Sequence, residues 1–557
     1  MNTILTRLST ELIEQYARTG FWLNDTIYSL AREHAERAPA SCAVRDRYRR
    51  VTYRQLVDAA DALAADFAAR GVLPGQRVSV WLPSRIESVI ALLACARNGY
   101  ICCPSMHRDH TIGEIVELMQ RTRSVACIVQ DGYGADADKR DLMQALKDVP
   151  TLQHIYQLKP LAGPDTALFP GLLQTSVDAP IEKDANKVVY LAFTSGTTGK
   201  LKGVMHSHNT LLSNARQLAK DWNVSDRSVV YTLSPLSHNL GFGAQVMALA
   251  VGGELVVHDL PRGASLADRI VETNTSFLVG VPPNAIDLLA EMRAHNMKGL
   301  GRLTGFRISG SAVPSEVVAG LIERGIKPQS GYGMTETCSH QYTLPDDDPQ
   351  KIIETSGRTC PGYEIRIFKV ENPNVEAAPG EVGQIGGRGA SLMLGYFDDQ
   401  AATEDAFNAE GWFITGDLGS IDSDGYLRIT GRQKDIIIRG GHNIHPARIE
   451  ELASRHPAVK RAAAVPVKDM RLGEKVCLVV EFAPGQRVEP YDLLTHLDEM
   501  GLSKYDMPEY FFVLDKIPLT PNGKMLKRDI IDWIQEGRVT PEPVRWQGKK
   551  PGSQQQS

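Results

Sequence analysis

Short apolar runs alternate with longer helical stretches through the first third of the chain. Residues 77–82 (RVSVWL) predict a strand, and 84–98, rich in Ile, Leu and Ala, predict a helix. Residues 100–103 are apolar again, 112–121 have helical spacing, and 125–130 (VACIVQ) predict the next strand. Similar short strands are predicted at 188–193, 254–258, 277–281 and 306–309. Strands separated by helices imply right-handed βαβ units and a largely parallel sheet. After Gly357 the chain becomes more polar, with closely spaced turn signals at Asn372-Pro373-Asn374, Pro379-Gly380 and Asp424-Gly425, so antiparallel strands are expected there. Beyond about residue 433 the pattern is that of a compact mixed α/β module. The expected fold is α/β: a large N-terminal domain of α/β layers with a small β subdomain (1–433), a small mobile C-terminal α/β domain (434–546) and a disordered tail (547–557).

Composition narrows the function classes. A chain of 557 residues is too long for one ordinary core, which supports more than one domain. Its 61 Lys and Arg against 66 Asp and Glu leave no basic field for nucleic acid. The eight cysteines include no CxxC pair, so buried, inert thiols in a reducing compartment are expected. No secretory h-region is apparent in residues 1–20, and the apolar runs near 89–96 and 246–257 are too short or interrupted to span a bilayer. A cytoplasmic protein without integral membrane contact is the expectation.

The densest chemical signal is Thr194-Ser195-Gly196-Thr197-Thr198-Gly199-Lys200-Leu201-Lys202-Gly203, after a predicted strand and before a helix expected near Asn209. Its glycines let backbone N–H groups turn toward an anion, its hydroxyls add donors, and Lys202 adds charge. A Walker loop needs Gly-Lys followed by Ser or Thr after four intervening residues, whereas here Gly199-Lys200 follows Gly196 too soon and Leu201 comes next. It reads as a polyphosphate loop of a different kind.

With four further motifs in order, the chain resembles the adenylate-forming superfamily, in its acyl-CoA synthetase branch. These are Gly331-Tyr332-Gly333-Met334-Thr335-Glu336-Thr337, Thr415-Gly416-Asp417, Gly431-Arg432-Gln433-Lys434-Asp435 with Gly440-Gly441, and Pro521-Asn522-Gly523-Lys524. The resemblance runs from about residue 25 to 526 and implies ATP-dependent activation of a carboxylic acid as an acyl-adenylate, then transfer to coenzyme A. By the same resemblance, Thr335 bonds the α-phosphate, Glu336 helps hold Mg²⁺, Tyr332 packs on adenine, and Gly310-Ser311-Ala312 lines adenine and the acid. Asp417 accepts from ribose hydroxyls and Arg432 contacts ribose or phosphate. Lys524 stabilises charge during adenylation, Lys434 is the hinge, and Gly440 and Gly441 face the pantetheine tunnel. Two positions depart from the family pattern: Leu201 stands where Pro is usual, and His442 where Glu is commoner.

The segment containing His238, Asn239, Gly241 and Phe242 matches the entrance to the family's acyl pocket, with His238 at the carboxylate. Uncharged Asn239 stands where amino-acid-activating relatives generally carry Asp, which disfavours amino acids. Leu240, Phe242, Val246 and Met247 suggest an apolar pocket and fit a buried core equally well. The reading is an AMP-forming ligase of fatty-acid-type metabolism acting on a small or medium apolar, alicyclic or aryl monocarboxylic acid, with a homodimer admissible. Transfer to a carrier protein's phosphopantetheine is the alternative. A luciferase-like oxygenase and an inactive binding module are weaker ones, the last opposed by the intact set Lys202, Glu336, Asp417, Arg432 and Lys524.

Overall fold

The computed structural model describes residues 4–173, 179–195, 201–310, 313–439, 442–520 and 523–546. Packing divides the chain into two compact units. The first comprises Met1–Ile365, Gly387–Phe413 and Gly425–Leu427, and the second Arg366–Gly386, Ile414–Asp424 and Arg428–Ser557. The tail expected at 547–557 lies outside the described residues.

Two sheets build the first unit. In one, the parallel strands Gly305–Ser309, Phe277–Gly280, Val229–Thr232, Glu254–Val257 and Cys42–Arg45 lie side by side. Lys327–Met334 extends this parallel run, and Cys338–Tyr342 pairs antiparallel beyond it. In the other, His154–Leu158, Ala126–Gln130, Arg77–Trp81, Ile101–Cys103 and Val188–Ser195 are parallel, and Leu201–Ser207 closes the edge antiparallel. Strands buried on both faces read as continuous apolar runs, which is why the chain pattern exposed most of them. The helix Ile86–Asn98 belongs to the same core and ends at Gly99, in the left-handed region with φ 71°.

In the second unit, Val459–Asp469 and Gly473–Phe482 form a long antiparallel pair, and Tyr510–Val513 runs parallel to the latter. Helices Pro446–Ser454 and Pro490–Glu499 contribute Ile449, Leu452, Leu493 and Leu497 to its core. Tyr363–Phe368, Gly383–Gly389, Phe413–Ile421 and Leu427–Arg432 form a four-stranded sheet in that order. The eight cysteines are free thiols and seven are buried. Among the described residues no helix is long and apolar enough to cross a membrane.

Candidate active site

Thr194 and Ser195 end the strand Val188–Ser195, which pairs antiparallel with Leu201–Ser207, so that Thr194 lies opposite Lys202. The strand Leu201–Ser207 thus carries Lys202, and the helix expected near Asn209 begins at His208, one strand after Ser195. This corrects the reading of a direct strand-to-helix loop. Lys202, His206 and Ser207 masked the strand, because the polar pair His206 and Ser207 is buried on specific hydrogen bonds. Gly196, Thr197, Thr198 and Gly199 lie outside the described residues.

Thr335-Glu336-Thr337 forms the turn of another hairpin, between Lys327–Met334 and Cys338–Tyr342. Gly333 is required there, since a Cβ would meet the Cys338 carbonyl oxygen at 2.0 Å. The His206 Nε2–H donates to the Thr335 carbonyl at 2.7 Å, and the Met393 N–H donates to the Glu336 carbonyl at 2.7 Å. The Ser391 hydroxyl donates to the Thr337 carbonyl at 3.0 Å, fixing the turn from a third side. Glu336 is 6% exposed, and its Oε1 accepts from the Tyr396 hydroxyl at 3.0 Å. Burial, reinforced by Glu336, pushes the Tyr396 phenol up, so it stays a donor at neutral pH. The Lys202 Nζ lies 4.7 Å from the centre of the Tyr396 ring. Tyr332 is buried with its ring 5.5 Å from that of His340, and Gly310 has φ 106°. Ser311 and Ala312 lie outside the described residues.

His238 caps the helix Asn239–Val251, its Nδ1 accepting from the Leu240 N–H at 3.4 Å. Burial pushes this imidazole down to about 4. A neutral ring accepting at Nδ1 carries its proton on Nε2. The Asn239 amide donates to the Met334 carbonyl at 3.3 Å, tying the helix start to the strand before Thr335. A small cavity lies along this helix, lined by Leu218, Leu240 and Met247 and by polar Asn239, Arg307 and Ser339. Gly241 and Phe242 face elsewhere. A Cβ at Gly241 would meet the Pro235 carbonyl oxygen at 2.2 Å, and Phe242 stacks on Tyr190 with centroids 3.9 Å apart. The cavity face follows helical spacing through 239, 240, 243, 244 and 247, and positions 241 and 242 turn away from it. Phe242 thus packs in the core and does not line this cavity.

In the second unit, Asp417 is 5% exposed, and its carboxylate pairs with the Arg432 Nε at 2.9 Å. Lys434 is exposed in the short 3-10 turn Gln433–Asp435. Lys524 follows Gly523, which has φ 77°. The Thr520 N–H donates to the Lys524 carbonyl at 2.7 Å, and the Lys524 N–H to the Thr520 hydroxyl at 3.1 Å. Lys524 as a whole stays solvent-accessible, yet its ammonium is pushed down to about 8. Burial is the main cause, with Arg432 and Lys434 acting the same way and Asp417 and Asp435 opposing. Lys524 thus shares one electrostatic cluster with residues of two other motifs. Gly440 and Gly441 lie outside the described residues. His442 Nε2 pairs with Asp506 Oδ1 at 2.8 Å.

The chain reading missed His206, Tyr396 and Arg307. Only Arg307 carried a signal, a charge in the middle of the apolar strand Gly305–Ser309.

The AMP-binding enzyme family matches residues 31–397, and the AMP-binding enzyme C-terminal domain matches 448–524. The medium-chain fatty-acid–CoA ligase of Escherichia coli (strain K12) is 30% identical over 93% of this chain and 92% of its own length. A salicylyl-CoA synthase / salicylate adenylyltransferase of a Streptomyces species is 31% identical over 94% of this chain and 96% of its own. The crystal structure of ATP-bound MatB from Rhodopseudomonas palustris superposes with a TM-score of 0.80 at 26% identity, covering 92% of this chain and all of that one.

Proposed function

We propose a reaction course from one premise: this chain belongs to the AMP-binding enzyme family, in its acyl-CoA synthetase branch. It is an adenylate-forming acid–thiol ligase. In the first half-reaction a carboxylate oxygen attacks the α-phosphorus of ATP, and the bond to pyrophosphate breaks. In the second, the coenzyme A sulfur attacks the acyl carbon, the bond to AMP breaks, and the thiol proton passes to solvent. The acid has an apolar body of small or medium size, alicyclic or aryl rings included.

The observation that carries this reading is the turn Thr335–Thr337 with its buried carboxylate, braced by Tyr396 beside Lys202. In the proposed roles, the Thr335 hydroxyl donates to the α-phosphate, and Lys202 opposes phosphate charge. The His238 Nε2–H donates to the acid's carboxylate, Tyr332 lies against adenine, and Asp417 and Arg432 take ribose or phosphate oxygens. Glu336 presents a hard oxygen donor. Among the described residues no three His, Cys, Asp or Glu gather into a metal cage. A single carboxylate suits Mg²⁺, which keeps several waters and shares its remaining positions with phosphate oxygens. Bound there, the ion would neutralise phosphate charge.

A panel of carboxylic acids with ATP, Mg²⁺ and coenzyme A, read for AMP and acyl-CoA by mass, tests the proposal. AMP together with an acyl-CoA supports it, and no AMP with any acid refutes it. The second reading is transfer to a carrier-protein phosphopantetheine, in line with the adenylyltransferase activity in the Streptomyces relative's name. AMP formation without an acyl-CoA would favour that acceptor.

Two further outcomes are expected. Gly243 lines the cavity, and a Cβ there would meet no atom within 4 Å. Gly243→Leu should therefore fill the cavity and lower kcat/KM for octanoate by about tenfold or more, while acetate is spared. Equal loss for both acids would remove the cavity from acid selection. Lys434→Pro suits the short turn, which the Ile436 N–H closes on the Gln433 carbonyl. It should cut thioester formation by about tenfold and leave pyrophosphate exchange within about threefold. Parallel losses would count against Lys434 as a hinge.

A further inference from the structure

Four arginines are buried among the described residues: Arg49, Arg85, Arg269 and Arg307. Arg49 pairs with Asp46 and Glu87, Arg85 with Glu87, and Arg269 with Glu272. Arg307, 1% exposed, forms no ion pair with any carboxylate among the described residues. Its Nη1 donates to Gln329 Oε1, while its Nη2 has no hydrogen-bond partner. Because Gln329 turns its oxygen to the guanidinium, its own Nε2 is left as a second buried, unpartnered donor. Burial pushes the guanidinium down only to about 10, so it is charged at neutral pH. An unpaired buried cation is expensive, whereas one paired with an oxyanion is not.

Arg307 also lines the cavity along Asn239–Val251. It stands on Gly305–Ser309, two residues before the end of that parallel strand, so about 7 Å behind the carboxyl edge where ligands of such sheets react. Gly331 leaves room beside it, since a Cβ there would approach Nη2 to 3.2 Å. The cavity therefore combines an apolar wall of Leu218, Leu240 and Met247 with a deep, unsatisfied pair of donors.

We infer that the preferred acid carries a second oxyanion at the far end of its apolar body, bound by Arg307 with help from Gln329. This rests on the ligase reading above and narrows its substrate class, replacing the uncharged tail expected from Leu240 and Met247. Arg307 is here a specificity residue that touches the substrate tail, away from the reacting carboxylate.

The test compares octanoate with octanedioate, which differ only in the terminal carboxylate, by AMP formation with the full chain, ATP, Mg²⁺ and coenzyme A. The wild type should favour octanedioate in kcat/KM by about tenfold or more, the scale of a charge-assisted bond in a desolvated site. Arg307→Met should lower kcat/KM for octanedioate by about tenfold to a hundredfold relative to that for octanoate. Arg307→Gln serves if the Met variant does not fold. AMP from octanoate but not octanedioate in the wild type would overturn the inference alone. So would a preference unaltered by folded Arg307 variants, or equal loss for both acids. No AMP with any acid of the wider panel would instead remove the ligase reading itself.

Discussion

Lys524→Ala slows acyl-adenylate formation by about two to three orders of magnitude, the scale of losing one preorganised charge from a developing transition state. Thioester formation from supplied acyl-adenylate persists. The expectation follows from the cluster of Arg432, Lys434, Asp417 and Asp435 around the ammonium, which its hairpin holds through Thr520. Attack of one anion on another needs positive charge at the α-phosphate, whereas attack of a thiol on the finished adenylate does not. The pH dependence gives an independent check. The ammonium is pushed from 10.5 down to about 8, so the charged form prevails below that pH and is lost above it. The kcat/KM for adenylation should be flat on the acid side and fall above about 8, because kcat/KM reports the free enzyme's groups. Lys524→Arg should move that limb to higher pH, since a guanidinium keeps its proton. Lys524→Ala should abolish it. Equal loss in both half-reactions, or an unmoved limb in the Arg variant, would end this role.

Glu336→Gln is the second large effect. The substitution keeps shape and leaves an oxygen to accept from Tyr396, so the turn between His206, Met393 and Ser391 should stand. What goes is a negative charge and a hard ligand. Adenylation should fall by about tenfold to a hundredfold, and half-saturating Mg²⁺ should rise by at least about tenfold, as when a ligand's support is disturbed. Pyrophosphate exchange titrated with Mg²⁺ reads both. An unchanged Mg²⁺ requirement would take Glu336 out of the metal's reach.

The parts of the fold written in the chain are those where burial dictates composition. The strands Arg77–Trp81, Ala126–Gln130, Phe277–Gly280 and Gly305–Ser309 end within one residue of their expected limits, because both faces of each are covered. Leu201–Ser207 escaped because His206 is buried for a hydrogen bond, and no periodicity announces that. The motif residues were legible as types in order. Their supports were not: Tyr396 reaches Glu336 from sixty residues along the chain. For Phe242 the chain alone left pocket and core open. It sits beside true cavity residues in sequence, but a helix turns neighbours onto different faces, and Gly241 pins that helix against Pro235. Arg307 shows the converse. Its charge stands out in the strand, but only the missing carboxylate gives it meaning.

The most direct test of acyl-adenylate formation follows oxygen. An accepted acid with heavy oxygen in its carboxylate is turned over with ATP, Mg²⁺ and coenzyme A, and the products are weighed by mass spectrometry. Attack of the carboxylate on the α-phosphorus predicts one labelled oxygen in AMP and none in pyrophosphate. Label in pyrophosphate or inorganic phosphate, or unlabelled AMP beside labelled thioester alone, would contradict it.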